Sequence, residues 1–242
     1  MACRIDRRSF LGQSIAAGAA YAGIRSFEEK NLLAAVQDNG SRTRELKKTT
    51  QNEPKIPTGR IGNLQISRII AGGNVISGWC HNRDLLYVST LAAHYLTEEK
   101  QFDTLELMEE YGIDTISPDP SQLGIINKYK RERGGELQTV VGVRDDWSRL
   151  DNPTWGGMKE VIDRSIDEGA TTMYTQGGFT EHAMKQGKPE MIEVIVKAVE
   201  YIKEQGYPAG LGCHDVKVIE IGDEYGIDPD YYFKTFHHDN YW

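Results

Sequence analysis

The chain has 242 residues, 39% of them hydrophobic and 26% charged, and a net charge of −8. This is the composition of a globular protein. The acidic balance argues against nonspecific binding to nucleic acid or to an anionic membrane, since both call for a basic face, and no apolar run reaches the ~18–20 residues of a membrane span.

Residues 1–25 read as an address rather than as part of the fold. Arg7 and Arg8 stand directly before Ser9, Phe10 and Leu11 in DRRSFLG, and the weakly apolar stretch LGQSIAAGAAYAGI follows. This resembles a twin-arginine export signal. It implies the twin-arginine machinery as a partner, passage in the folded state, and a periplasmic or extracellular destination. Residues 26–56 are polar and charge-rich with little periodicity, which predicts a disordered linker. The folded domain is then 57–242. Cys3, Cys80 and Cys213 are too few for a disulfide framework, with at most one bond, Cys80 to Cys213.

From residue 61 a pattern repeats: a short β-type run, a polar mouth, a helical period, then a glycine stop. Strands are predicted at 67–74, 113–119, 137–144, 170–178 and 207–215, with a sixth inside 228–239. A long insertion follows the first strand. Helices are predicted at 101–112, 121–135, 152–169, 188–206 and 216–226, the one at 188–206 being the most strongly periodic. Strict alternation implies a parallel sheet with helical crossovers. No G-x-G-x-x-G follows the first strand, which weakens a doubly wound reading. The expected fold is a (β/α)8 TIM-type barrel. A full barrel takes ~250 residues, so six units are expected here and the last two are missing. On that expectation the chain is a fragment or a shortened copy of a longer protein.

Active sites of such barrels lie at the carboxyl ends of the strands. Side chains alternate along each strand, and the apolar set faces the helices. That parity gathers Asn74, Asp119, Arg144, Gln176, His214, Lys234 and His238 at the inner mouth, with Lys234 inward because a lysine against the helices is buried unpaired. His214 with Asp119 suits proton transfer, Lys234 suits stabilising an oxyanion or forming a Schiff base, and Asn74, Arg144 and Gln176 suit substrate positioning. The insertion carries His81 and Asp84, three residues apart. Folded over the mouth, they form with His214 and His238 a candidate site for a divalent metal. Trp79, Trp155 and Trp242 are candidates for a sugar-binding rim.

The stretch TGRIGNLQISRIIAGGN resembles the opening of aldo/keto reductases, where a hairpin precedes the first barrel strand, and YGIDTISPDPSQLGIINKY resembles their second unit. That resemblance implies NADP(H) binding and an Asp/Tyr/Lys/His tetrad. Here Ser117 stands at the aspartate's place, Gln122 and Leu123 in the tyrosine-bearing loop, Arg144 at the lysine's place and Thr175 or Gln176 at the histidine's. The whole chain, including GWCHNRDLLYVS and DPDYYFKTFHHDNYW, looks like a group of exported barrel proteins of planctomycete-like bacteria. The reading that follows is an exported barrel enzyme for a small, polar, sugar-like substrate, working by His/Lys acid–base chemistry as an isomerase, lyase or hydrolase, with metal assistance as an option. A divergent NADP-dependent oxidoreductase and a non-catalytic sugar-binding barrel are the alternatives.

Overall fold

The computed structural model describes residues 56–79 and 87–236. It opens with an antiparallel hairpin of β1 (Thr58–Ile61) and β2 (Leu64–Ser67). Gly62, at φ 55°, makes the turn in a region that glycine enters without a Cβ penalty. Six parallel strands follow in strict chain order: β3 (Ala71–Gly72), β4 (Thr115–Ser117), β5 (Gln138–Val143), β6 (Thr172–Thr175), β7 (Ala209–Cys213) and β8 (Tyr231–Lys234). The helices are α1 (Asn74–Ser77), α2 (Tyr87–Tyr95), α3 (Glu98–Glu110), α4 (Leu123–Arg133), α5 (Trp155–Asp167), α6 (Gly177–Gln186), α7 (Pro189–Glu204) and α8 (Lys217–Glu224).

Spatial neighbours in this sheet are also neighbours in the chain, each joined by a helical crossover. A doubly wound sheet would reverse its order at a switch point. The six units therefore form an incomplete (β/α) barrel, as expected, with β3 and β8 at the sheet's edges.

The helices form where capping and burial agree. Thr97 accepts from Lys100 N, and Glu98 and Glu99 in the first turn of α3 complement the helix dipole. The helix then buries Phe102, Leu105 and Met108 along one face. Pro189 opens α7, which buries seven residues from Met191 to Ile202. Ile116 and Leu137 pack with α3 and α4 in one cluster; Val141, Val143, Met173, Ala209, Leu211 and Cys213 pack with α5–α8 in a second, larger one. These are the outward residues of each strand, so the parity read from sequence holds for β4 to β7. The Cys213 thiol is free, and burial pushes its pKa up to about 11.

The hairpin is tied to the amino ends of the strands. Gln138 Nε2 donates to Gln65 O at 2.8 Å, and Ser67 N donates to Asp114 Oδ1 at 2.7 Å. Among the described residues, no helix is long and apolar enough to cross a membrane.

Two elements differ from the sequence reading. The first strand shrinks to Ala71–Gly72, because the chain turns into α1 at Asn74. Residues 177–186, of which the first two are predicted as a strand end, form α6. Gly177 and Gly178 disfavour a helix by about 1 kcal/mol each. Tertiary burial of Phe179, Thr180, Ala183 and Met184 overrides them, and Gln176 Oε1 caps the helix by accepting from Phe179 N at 2.8 Å.

Candidate functional site

The inner face of the sheet alternates missing and large side chains. Gly142, Gly210 and Gly212 point inward, which makes room for the rings of Tyr174, Tyr231 and Phe233. A Cβ on Gly210 would stand 2.5 Å from the Tyr231 ring, and one on Gly212 only 2.3 Å from Thr175 O. Tyr174 and Phe233 stack with centroids 4.4 Å apart and planes 20° apart. Burial raises the pKa of Tyr174, so its hydroxyl stays protonated; it lies 3.3 Å from Ser117 Oγ. Tyr231 donates to Met173 O at 3.0 Å, which locks the bottom of this ring stack.

Above the rings, at the carboxyl ends of the strands, lies a cleft of about 340 Å³. Four of the residues expected at the mouth line it: Asn74, Asp119, Arg144 and Gln176. Arg144 is its electrostatic centre. One guanidinium nitrogen lies 3.2 Å from Asp119 Oδ2, and the group stacks 4.8 Å from the centroid of Trp147. Its Nε is buried and has no hydrogen-bond partner among the described residues. Asp119 is held in turn, because its Oδ1 accepts from Ser121 N at 3.0 Å and Ser121 Oγ at 2.7 Å. Gln122 clamps two strand ends together: it accepts from Asp119 N at 2.7 Å and donates to Gly73 O at 2.8 Å. A half-exposed ion pair of this kind contributes no more than ~1 kcal/mol to stability. Its consequence is positional: a carboxylate and a guanidinium are fixed side by side at the mouth. Trp79, 65% exposed, and Trp147, 43% exposed, form polar-tipped apolar walls.

His214 and Lys234 are not among the described residues lining this cleft. The inward placement of Lys234 is corrected by the register. Gly212 pairs with Phe233 and Cys213 with Lys234, so Phe233 shares the inward face and Lys234 the outward one. The reason is packing: Phe233 gains the Tyr174 stack, while the lysine at a sheet edge reaches back to donate to His214 O and to Thr235 O. At this edge an outward lysine is not buried unpaired, because the ammonium stays partly exposed and has carbonyl partners. His214 follows the end of β7, where strand parity no longer governs. It turns to α6, with its backbone N 3.2 Å and its Nδ1 3.1 Å from Glu181 Oε2. Burial alone would raise the pKa of Glu181, but Lys185, at 2.6 Å, and the His214 N–H hold it below the ordinary carboxylate range.

His81, Asp84 and His238, proposed with His214 as metal ligands, lie outside the described residues, as does Trp242. Among the described residues no group of three or more His, Cys, Asp or Glu side chains is placed to hold a metal. Trp155, a candidate for the rim, instead packs edge-on against Tyr201 at 5.5 Å on the helical layer. Trp147, Phe233 and Glu181 carry much of the geometry and were not picked out as site residues. The glycine parity of β7 was the available signal for Phe233. Nothing local marks Glu181, since the leading Gly177 and Gly178 hide its helix from propensity.

No protein-family model matches the chain, and no curated protein matches it. Among solved structures, a candidate deoxyribose-phosphate aldolase from Coccidioides immitis superposes with a TM-score of 0.47 at 11% identity, over 89% of this chain and 75% of that one. An aldolase designated QR15 superposes with a TM-score of 0.39 at 12% identity, over 56% of this chain and 60% of that one. Likenesses this distant carry no activity across. The fold assignment rests on the strand order, and the function has to be argued from the cleft.

Proposed function

We propose that the mouth of this barrel takes a small, polar, sugar-like molecule and acts on it by proton transfer. The observation that carries the reading is Arg144, fixed between a carboxylate and an indole at the carboxyl ends of the strands, with a protonated tyrosine hydroxyl below it. Arg144 and Gln176 hold substrate oxygens. Asp119 moves the proton, and the guanidinium beside it stabilises the oxygen on which negative charge grows. Among the described residues lining this cavity of about 340 Å³, Asp119 is the one carboxylate. Isomerisation or elimination next to a carbonyl needs one base and one cation, whereas hydrolysis of a glycosidic bond ordinarily needs two carboxylates. The first two reactions are therefore favoured. This moves the chemistry from the His214/Lys234 pair to Asp119 and Arg144. The paired Arg7 and Arg8 support the further proposal that the chain leaves the cytoplasm by the twin-arginine route.

The test is calorimetric titration of the full chain with neutral monosaccharides and sugar acids. Arg144→Met should abolish binding, and Arg144→Lys should weaken it, because a lysine neither forks nor stacks as arginine does. Binding that survives Arg144→Met would overturn the reading.

A further inference from the structure

A second cavity, of about 370 Å³, abuts the first on the side of β5 and α5. The two share Asp119, Ser121, Arg144 and Trp147 as a common wall. Each alone reaches the ~300 Å³ at which small-molecule sites begin. The pair is thus one cleft with two compartments, and the Asp119–Arg144 pair stands at their junction.

The chemistry of the outer compartment selects its occupant. Three guanidinium groups, of Arg144, Arg149 and Arg164, face four carboxylates, of Asp119, Asp145, Asp146 and Glu160. Much of this charge is already engaged. Asp145, 2% exposed, accepts from Asp146 N, Arg149, Thr154 N and Thr154 Oγ1, and so belongs to the framework. Asp119 engages Arg144. Arg164, Glu160 and Asp146 are exposed, and among the described residues no ion pair joins them. An anionic group entering here meets an excess of carboxylate. A bare cation meets the guanidinium. A neutral polyol satisfies both, because its hydroxyls donate to carboxylates and accept from arginine.

We propose that the substrate is a two-unit saccharide: one unit occupies the inner cleft, and a second, neutral sugar ring lies in the outer compartment against Glu160 and Arg164. The wall of Asp119, Arg144 and Trp147 then separates the two units, and the reaction takes place on the unit in the inner cleft. This rests on the reading of the inner cleft given above.

The probes are glucose, galactose, mannose and xylose, together with α- and β-linked disaccharides of each, titrated into the full chain by calorimetry. At least one disaccharide should bind about tenfold or more tightly than its monosaccharide, as one or two hydrogen bonds to charged groups provide. In the double variant Glu160→Gln/Arg164→Gln that advantage should collapse to about twofold or less. Both positions are exposed, and circular dichroism checks that the variant keeps the fold. Equal affinities for one and two units overturn the two-compartment proposal alone, as does an advantage that survives the double variant. No binding by any sugar of the panel to the wild-type chain overturns this proposal, and if sugar acids fail to bind as well, the inner-cleft reading falls with it.

Discussion

Gly212→Ala tests the inward face on which the whole site is built. A methyl at this position would lie 2.3 Å from Thr175 O, 2.9 Å from Gly177 N and 2.8 Å from the Tyr174 ring. The first two are backbone atoms, so relief means separating β6 from β7 rather than turning a side chain. Overpacking costs ~1–3 kcal/mol, and two backbone contacts put this case at the upper end. Alanine's smaller unfolded-state freedom returns ~0.4–1 kcal/mol. The net loss is about 2–3 kcal/mol, or roughly 5–10 °C in midpoint for a chain of this size. Gly72→Ala is the matched control: an added Cβ there meets nothing within 4 Å. With only the unfolded-state effect acting, it should gain up to ~1 kcal/mol. Urea melts followed by tryptophan fluorescence and far-UV circular dichroism, with equal slopes, give both values. The two substitutions should therefore move stability in opposite directions. If Gly212→Ala melts within ~0.5 kcal/mol of the wild type, β7 does not face the lumen as described, and the cleft above it is wrong.

Glu181, whose pKa lies below its ordinary 4.5, is charged in the native state to lower pH than in the unfolded chain. Its contribution to stability is present above pH 4.5 and is lost as pH falls through the native value. Glu181→Gln should lower the midpoint at pH 7 and flatten its fall as pH drops below 4.5; a variant with the wild-type pH profile would show that the Lys185 and His214 contacts do not form. Replacing Arg7 and Arg8 together by lysine should hold the protein in the cytoplasm, read by fractionation, and unchanged delivery outside it would refute the twin-arginine reading.

The periodicity of short apolar runs between amphipathic helices was enough to read a barrel, since alternation of period 2 and period 3.6 is a local property of the chain. Parity along β4, β5 and β6 is legible for the same reason, and by itself it brings Asp119, Arg144 and Gln176 to one mouth. Where a residue's direction depended on what another segment offered, local pattern failed. A rule about burial sends Lys234 inward, yet the facing Gly212 admits Phe233 there, and the sheet edge gives the lysine solvent and carbonyl partners. Strand parity continued past Cys213 sends His214 inward, whereas its partner Glu181 lies on a helix whose two leading glycines hide it from propensity. The sequence alone thus determined the order of the parallel strands and the faces of the central ones. Only the tertiary structure decided which polar groups share the cleft, because that choice rests on contacts between residues far apart in the chain, such as Tyr174 with Phe233 and Asp119 with Arg144.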